Sequence, residues 1–496
     1  LHSSPSPEER ELFLDQNRFK LYLFGVFSTL ALITGNIVFI KVFPVMWPFA
    51  IVVLITAFYL LISYLIAFFG KDFDSKHHDE LFAKYIDRSE SASVDIFLPV
   101  CKEPIEVIRN TWNHVRTIAR VHENIQVHVL DDGKDSDIRD MAKNYGFRYI
   151  TRENNELKKA GNLRNAFTKT SGEFILILDA DFCPAPNFLI HTLPYMFEDE
   201  SVAIVQTPQF FDVKNEYGWV RRGAGAVQEL FYRLIQVSRN TFNGAICVGT
   251  NALYRRKHLE PMGGTAPMPY SEDVHTGFAL ISNGLKIKYV PINLALGMCP
   301  DTVKQLFTQQ YRWALGSISL FMSKKFWAAD ITIKQRICYL SGMFFYISTG
   351  IGAVTAFIPG VFVLIFYPDH VHWYNLLFSV PSLIYTVFFM RWWMKLPFSV
   401  DVLRVRAVSC FAHLYALKDF IFNTLEEWKP TGAQFKSDRY NSFCVLFSFI
   451  NIATTVVILS LVGIRIIEGH DAKDFILIVL FTLFNAFITL PIIEDL

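Results

Sequence analysis

The chain has 496 residues, 52% of them apolar and 19% charged, and a formal net charge of +1. That length exceeds one ordinary domain, and so apolar a composition argues against a wholly soluble protein. A near-neutral chain has no global basic field, so nucleic acid is not an expected partner.

The opening stretch carries Glu8, Glu9, Arg10, Glu11 and Asp15, a pattern unlike a secretory signal peptide, and a start at Leu leads us to expect trimmed termini. Two uncharged runs follow, Leu21 to Ile40 and Val42 to Gly70, the second broken near Pro44 and Pro48. A helix needs about 20 apolar residues to cross the hydrocarbon core, so these are two expected spans.

Between residues 71 and 336 charges, turns and short β-branched runs return, which reads as a water-soluble domain. Val94 to Pro99, Ile125 to Leu130, Phe147 to Ile150, Phe174 to Leu178 and Ala203 to Val205 look like buried strands separated by amphipathic helices. Such alternation predicts an α/β fold with a mostly parallel sheet, which binds ligands at the carboxyl ends of its strands. Asp131-Asp132-Gly133 and Asp179-Ala180-Asp181 stand where two of these strands run out. On an extended segment Asp179 and Asp181 would point to one side and suit magnesium or manganese, which can bridge diphosphate oxygens. A solvated turn has the same composition, so the pair alone decides nothing.

Ser271-Glu272-Asp273 precedes a helical pattern from Val274 to Ile281, placing two acids at a helix amino terminus, either as a cap or as a reactive group. Gln309, Arg312 and Trp313 fall at i, i+3 and i+4 of an amphipathic run from Thr302 to Phe321. That face can hold phosphate oxygens by Arg and stack a sugar ring on Trp. An interfacial helix with a snorkelling Arg and a belt Trp has the same pattern.

Ile337 to Tyr367, Trp373 to Met390, Tyr440 to Ile464 and Phe475 to Ile493 bring the expected spans to six. Trp373, Trp392 and Trp393 end one of these runs and read as an aromatic belt. Charges are almost absent within the spans, which argues against an ion channel or proton-coupled pump. Asn36, Ser63, Tyr346, Ser348 and Thr349 suit either a sugar-polymer path or interhelical hydrogen bonds. Lys and Arg residues in the central domain and in 391–439, against none in 368–372, predict a cytosolic central domain. The seven cysteines form no CxxC pair and read as reduced, packed thiols.

Taken in order, Asp131-Asp132-Gly133, Asp179-Ala180-Asp181, Ser271-Glu272-Asp273 and Gln309-Gln310-Tyr311-Arg312-Trp313 resemble the D, DxD, TED and QxxRW series of processive family-2 glycosyltransferases. Lys159-Ala160-Gly161-Asn162-Leu163 and Val205-Gln206-Thr207-Pro208 are similar to segments of the cellulose-synthase branch, and the likeness covers nearly the whole chain. It implies a cytosolic α/β GT-A-type (Rossmann-like) catalytic domain inserted in an α-helical transmembrane bundle of about six spans, in the plasma membrane. The implied division is 1–88 for an amino-terminal segment with two spans and 89–300 for the catalytic domain. Interfacial helices with QxxRW take 301–336, and four spans take 337–496, with an interfacial or gating segment at 391–439.

By the same resemblance, Pro99, Glu103, Asp131, Asp132, Lys159, Asp179, Gln309 and Arg312 bind the nucleotide sugar, and Asp179 and Asp181 bind Mg2+ or Mn2+. Asp273 is the general base, and Glu272 and Trp313 meet the acceptor. Trp428, Lys429 and Thr431 stand where relatives carry a gating loop, although their Pro-Thr-Gly turn also suits a plain connection. Ser271 replaces the usual Thr, and Phe182 and Gln209 stand where the branch often carries His, which leaves the outer metal ligands open. The implied activity is an inverting polymerisation of a β-linked polysaccharide, a β-glucan from UDP-glucose first, with translocation of the growing chain through the bilayer. A hyaluronan- or chitin-type synthase using UDP-GlcNAc or UDP-GlcA, and a transporter or receptor with a nucleotide-binding domain, are the rival readings.

Overall fold

The computed structural model describes residues 2–424 and 438–496. Trp428, Lys429 and Thr431 therefore lie outside the described residues. Ten strands form in the central domain: β1 Val94–Val100, β2 Ile125–Asp131, β3 Arg148–Ile150, β4 Phe174–Ile177, β5 Phe182–Pro184, β6 Val202–Gln206, β7 Phe210–Phe211, β8 Ala252–Arg255, β9 Lys286–Tyr289 and β10 Ala295–Gly297.

Seven of them make one sheet in the order β3-β2-β1-β4-β8-β6-β9. Pairing is parallel except at β8, which runs antiparallel to both β4 and β6. The expected strands are all present, because runs such as Phe174–Ile177 are buried on both faces and only a covered sheet can hold them. β8 carried no such signal: Arg255 ends it, and that guanidinium is accommodated only because Val202 O and Met196 O accept from it.

A second sheet, β5-β10-β7, stands at the carboxyl end of β4. Phe182 opens β5 as a buried core residue against Phe211, with ring centroids 5.7 Å apart. Gly297 makes room for it, since a Cβ there would lie 2.4 Å from the Phe182 ring.

The segment before the first span straps onto this domain. His2 Nε2 lies 2.8 Å from Leu296 O, Asn293 N donates to Arg10 O at 3.1 Å, and buried Phe13 meets Phe210 edge-on.

Among the described residues, six helices are long and apolar enough to cross a membrane: 18–42, 49–69, 333–366, 375–393, 438–467 and 472–494. They match the six expected runs, and the break at Pro44 is a short 3-10 turn. Their outward faces expose residues such as Phe68, Phe69, Val445 and Phe449, a surface suited to lipid. Ser348 and Thr349 act between helices, with Thr56 Oγ1 3.0 Å from Ser348 Oγ and His413 Nδ1 2.8 Å from Thr349 Oγ1. Asn36 donates to its own helix at Leu32 O.

One expectation needs correction. Trp393 is no belt residue: it is buried, donates from Nε1 to Gln16 O at 2.8 Å, and lies 4.3 Å under the Arg233 guanidinium. Trp373 and Trp392 are exposed, as a belt requires. Part of the segment 391–439 lies between the catalytic domain and the spans. Val400–Ile421 is a helix burying Val405, Val408, Phe411, Ala412 and Tyr415, packed against the helices Trp219–Glu229, Val303–Phe321 and Ile333–Thr355. Gly223 permits that approach, because a Cβ on it would meet Asp401 O at 2.4 Å. This helix ties the catalytic domain to the spans.

Candidate active site

The site lies where the strands end. β2 finishes at Asp131, whose carboxylate accepts from Gly133 N at 2.6 Å, Asp135 N at 2.8 Å and Tyr149 Oη at 2.7 Å. Asp131 thus shapes the loop that follows. Asp132 forms a two-pronged pair with Arg152, both N···O distances being 2.7 Å. Arg152 also donates to Glu156 O and Lys158 O, so one guanidinium sets the entry to the helix Lys158–Phe167. Gly161 is required there, since a Cβ would lie 2.1 Å from Glu156 O. Pro99 pairs with Leu130 across β1 and β2, and Glu103 Oε2 accepts from Cys101 N at 2.5 Å in the next loop. Burial, together with the charges of Asp179 and Asp131, raises the Glu103 pKa.

Asp179 and Asp181 do converge, by a route the sequence did not suggest. The chain leaves β4 and turns rather than continuing extended, closed by Phe182 N donating to Asp179 O at 3.2 Å. The turn, not strand alternation, brings the two acids together. Burial and then the Asp179 charge push the Asp181 carboxyl up to about 7. Asp179 N donates to Thr250 Oγ1 at 2.8 Å, and Lys159 Nζ donates to Asp179 Oδ1 at 2.5 Å. The same ammonium is 4.0 Å from Glu272 Oε1, so it bridges two separated motifs. Burial opposes its charge, but Asp179 and Glu272 outweigh burial and raise its pKa.

Glu272 and Asp273 form the first turn of the helix Glu272–Ser282. Ser271 precedes them in the left-handed region, φ 50°, and makes no side-chain cap. Asp273 Oδ1 accepts from Val274 N at 2.8 Å, and burial followed by the neighbouring Glu272 charge pushes its carboxyl up to about 7. Burial likewise raises Glu272, against the pull of Lys159.

Two glycines allow this packing. Gly249, at φ +79°, leaves space that a Cβ would fill 2.8 Å from Asp273 Oδ2, and Gly316 does the same for Ser271, whose Oγ would be 1.9 Å away. Gly316 belongs to the helix Val303–Phe321, which buries Leu306, Phe307, Gln310, Tyr311 and Ala314 and leaves Gln309, Arg312 and Trp313 half-buried together. Burial lowers the Arg312 pKa, and the carboxylates of Asp179 and Glu272 counter it. Tyr311 Oη donates to buried Asp419 at 3.0 Å, which fixes the helix against Val400–Ile421.

Glu103, Asp131, Asp179, Asp181, Glu272 and Asp273 thus lie within electrostatic reach of one another, with Lys159 and Arg312 among them. Arg152, Tyr149, Thr250, Gly249 and Gly316 were not expected. Of these only the glycines carry a sequence signal, and it is a weak one. Phe182 is buried in the small sheet, and Gln209 is held by Val248 O at 3.2 Å and Tyr232 Oη at 2.9 Å. Among the described residues, no third His, Cys, Asp or Glu joins Asp179 and Asp181 in a metal-holding cluster.

The glycosyl transferase family 2 model matches residues 95–263. The chain is 34% identical over 263 residues to the UDP-forming cellulose synthase catalytic subunit of Pseudomonas fluorescens, covering 52% of this chain and 36% of that one. It is 33% identical over 261 residues to the UDP-forming cellulose synthase 1 catalytic subunit of Komagataeibacter xylinus, covering 51% and 35%. The chain therefore spans about a third of the length of these curated relatives. Among solved structures, a mannosyltransferase from Pyrobaculum calidifontis in complex with GDP-Man and Mn2+ superposes with a TM-score of 0.50 at 13% identity, covering 72% of this chain and 99% of that one. This likeness places the central domain in the GT-A fold.

Proposed function

We propose that this chain, whose residues 95–263 form a cellulose-synthase-like family-2 glycosyltransferase domain set among six membrane helices, polymerises a β-linked polysaccharide from a UDP-sugar. The observation that carries the reading is the Lys159 bridge. It ties the Asp179 turn, suited to a diphosphate, to the helix whose second residue is Asp273. Donor and base are thereby held at one point.

The chemistry is a single displacement. Asp273, held protonated or ionised near neutrality, takes the proton of an acceptor hydroxyl as its oxygen attacks the anomeric carbon. The bond to the diphosphate breaks, and UDP leaves beside the charged groups of Lys159 and Arg312. Attack from the opposite face turns an α-linked donor into a β-linked product. Gln309 and Arg312 face the diphosphate, and Trp313 offers an indole for the acceptor sugar ring.

Asp179 and Asp181 fit a hard divalent cation. They are two neighbouring carboxylates, burial and then the Asp179 charge pushing Asp181 up to about 7, and magnesium sites commonly use one or two carboxylates with phosphate oxygens completing the shell. Bound there, Mg2+ or Mn2+ would offset charge on the departing diphosphate. The closest fit to the relatives is UDP-glucose as donor and a β-glucan as product, made at a cytosolic face of the plasma membrane and passed outward through the spans.

Purified protein given radiolabelled UDP-sugars one at a time, with magnesium and with manganese, tests this. Incorporation of glucose alone is expected. A requirement for GlcNAc, or for GlcNAc with GlcA, reassigns the polymer to the amino-sugar class. No turnover of any donor overturns the enzymatic reading.

A further inference from the structure

Asp132 has little to offer a nucleotide. Its side chain is 7% exposed, and both carboxylate oxygens accept from Arg152, itself 9% exposed. A guanidinium carries five N–H groups in a fixed fork, and four of those on Arg152 have partners. Nε and Nη2 donate to Asp132, Nη1 donates to Glu156 O at 2.5 Å, and Nη2 donates a second time to Lys158 O at 2.7 Å. Gly161 leaves room for the fork, since a Cβ there would lie 2.2 Å from Arg152 Nη1.

The two carbonyls that Arg152 holds bracket a strained piece of backbone. Leu157 and Lys158 are both left-handed, at φ 57° and φ 50°. Residues with a Cβ avoid that region, and two in a row persist only where the surroundings hold them. Arg152 grips the chain before the first and after the second. Asn155 Nδ2, donating to Asp132 O at 3.3 Å, ties the same loop down again. Lys158 O and Lys159 N belong to one planar peptide, so the clamp sets the direction in which Lys159 leaves the backbone. From there Lys159 Nζ reaches Asp179 Oδ1 at 2.5 Å, Gly249 O at 3.4 Å and Glu272 Oε1 at 4.0 Å.

We propose that Arg152 and Asp132 are positioning residues of the donor site: together they hold the left-handed Leu157–Lys158 turn that places the Lys159 ammonium between Asp179 and Glu272. The inference rests on the donor reading above, and it makes Asp132 a support for Arg152 instead of a nucleotide contact. The pair acts only through the backbone. Without it the turn relaxes toward negative φ and carries Lys159 with it, and a misplacement of about 1 Å in such a group can cost about 100-fold in rate.

Calorimetric titration of UDP into the full chain in detergent, with the melting of each variant followed alongside, tests this. Arg152→Gln is expected to bind UDP about tenfold more weakly than wild type. In a Lys159→Met background the same substitution is expected to change UDP affinity by less than about twofold, because the group it positions is gone. Leu157→Gly added to Arg152→Gln is expected to recover part of the loss, since glycine takes a positive φ without a clamp. A role confined to general stability gives additive losses and no help from glycine. If Arg152→Gln does not fold, Asp132→Asn is titrated in the same two backgrounds, with a smaller weakening and the same non-additivity and recovery expected. Additive losses, wild-type UDP affinity in the clamp variant, or no recovery with Leu157→Gly overturns the clamp and leaves the donor reading in place. No UDP binding by the wild-type chain overturns both.

Discussion

Asp273→Asn removes one proton-accepting oxygen and preserves shape. Removing a general base lowers the rate by about 100-fold to 10,000-fold, while the UDP contacts proposed for Asp179, Lys159 and Arg312 are made by other side chains. Chain growth should fall by that factor with UDP affinity unchanged. The pH profile carries a second signature. Because burial and Glu272 push Asp273 up to about 7, the ionised base is lost as pH falls through that value, and at pH 6 the wild-type rate should be about a tenth of its plateau. Stability follows the opposite direction. A folded pKa above the ordinary 3.8 means the group's contribution is full below about 4 and is lost as pH rises through about 7. The Asn variant escapes this loss and should melt higher than wild type at pH 8, with no difference at pH 4. Rate, UDP titration and melting of both proteins across this range are the measurements. Polymerisation retained within tenfold, or UDP binding lost along with it, refutes the assignment of the base.

Further outcomes follow from named contacts. Gly316→Ala places a Cβ on Ser271 Oγ and should shift the Glu272–Ser282 helix, lowering the melting point by the equivalent of ~1–3 kcal/mol and the rate more than UDP affinity. Lys159→Met strands the Asp179 and Glu272 carboxylates and should weaken UDP binding by about tenfold or more in calorimetry. Trp393→Ala opens the core beneath Arg233 and should cost ~3–5 kcal/mol in thermal unfolding, whereas exposed Trp392→Ala should cost under ~0.5 kcal/mol. Chelation of divalent cations should abolish transfer, and readdition of magnesium or manganese should restore it.

The acids were legible in the sequence because each follows a strand or opens a helix whose apolar pattern is strong. Asp131 after Ile125–Leu130 and Glu272-Asp273 before Val274–Ile281 are examples. The six spans were legible for the same reason, since lipid demands long uncharged runs. β8 was hidden by the buried Arg255, and the Val400–Ile421 helix by its charges, which pair inside the protein: Arg404 and Arg222 both meet Asp401. Trp393 looked like its neighbour Trp392 because composition cannot tell which of two adjacent rings faces lipid and which faces Arg233.

By itself, then, the sequence determined the apolar spans, the strand-and-helix alternation of the central domain and the strand-end and helix-start positions of the candidate carboxylates, since hydrophobic period and strand-end position are local properties. Only the tertiary structure decided that Asp179 and Asp181 meet through a turn, that Lys159 joins Asp179 to Glu272, and that Gly249 and Gly316 admit the Asp273 helix. The Asp179 turn depends on its closure onto the small sheet, and the Lys159 and glycine relations join residues 20 or more positions apart, a distance in the fold set by packing that no local pattern encodes.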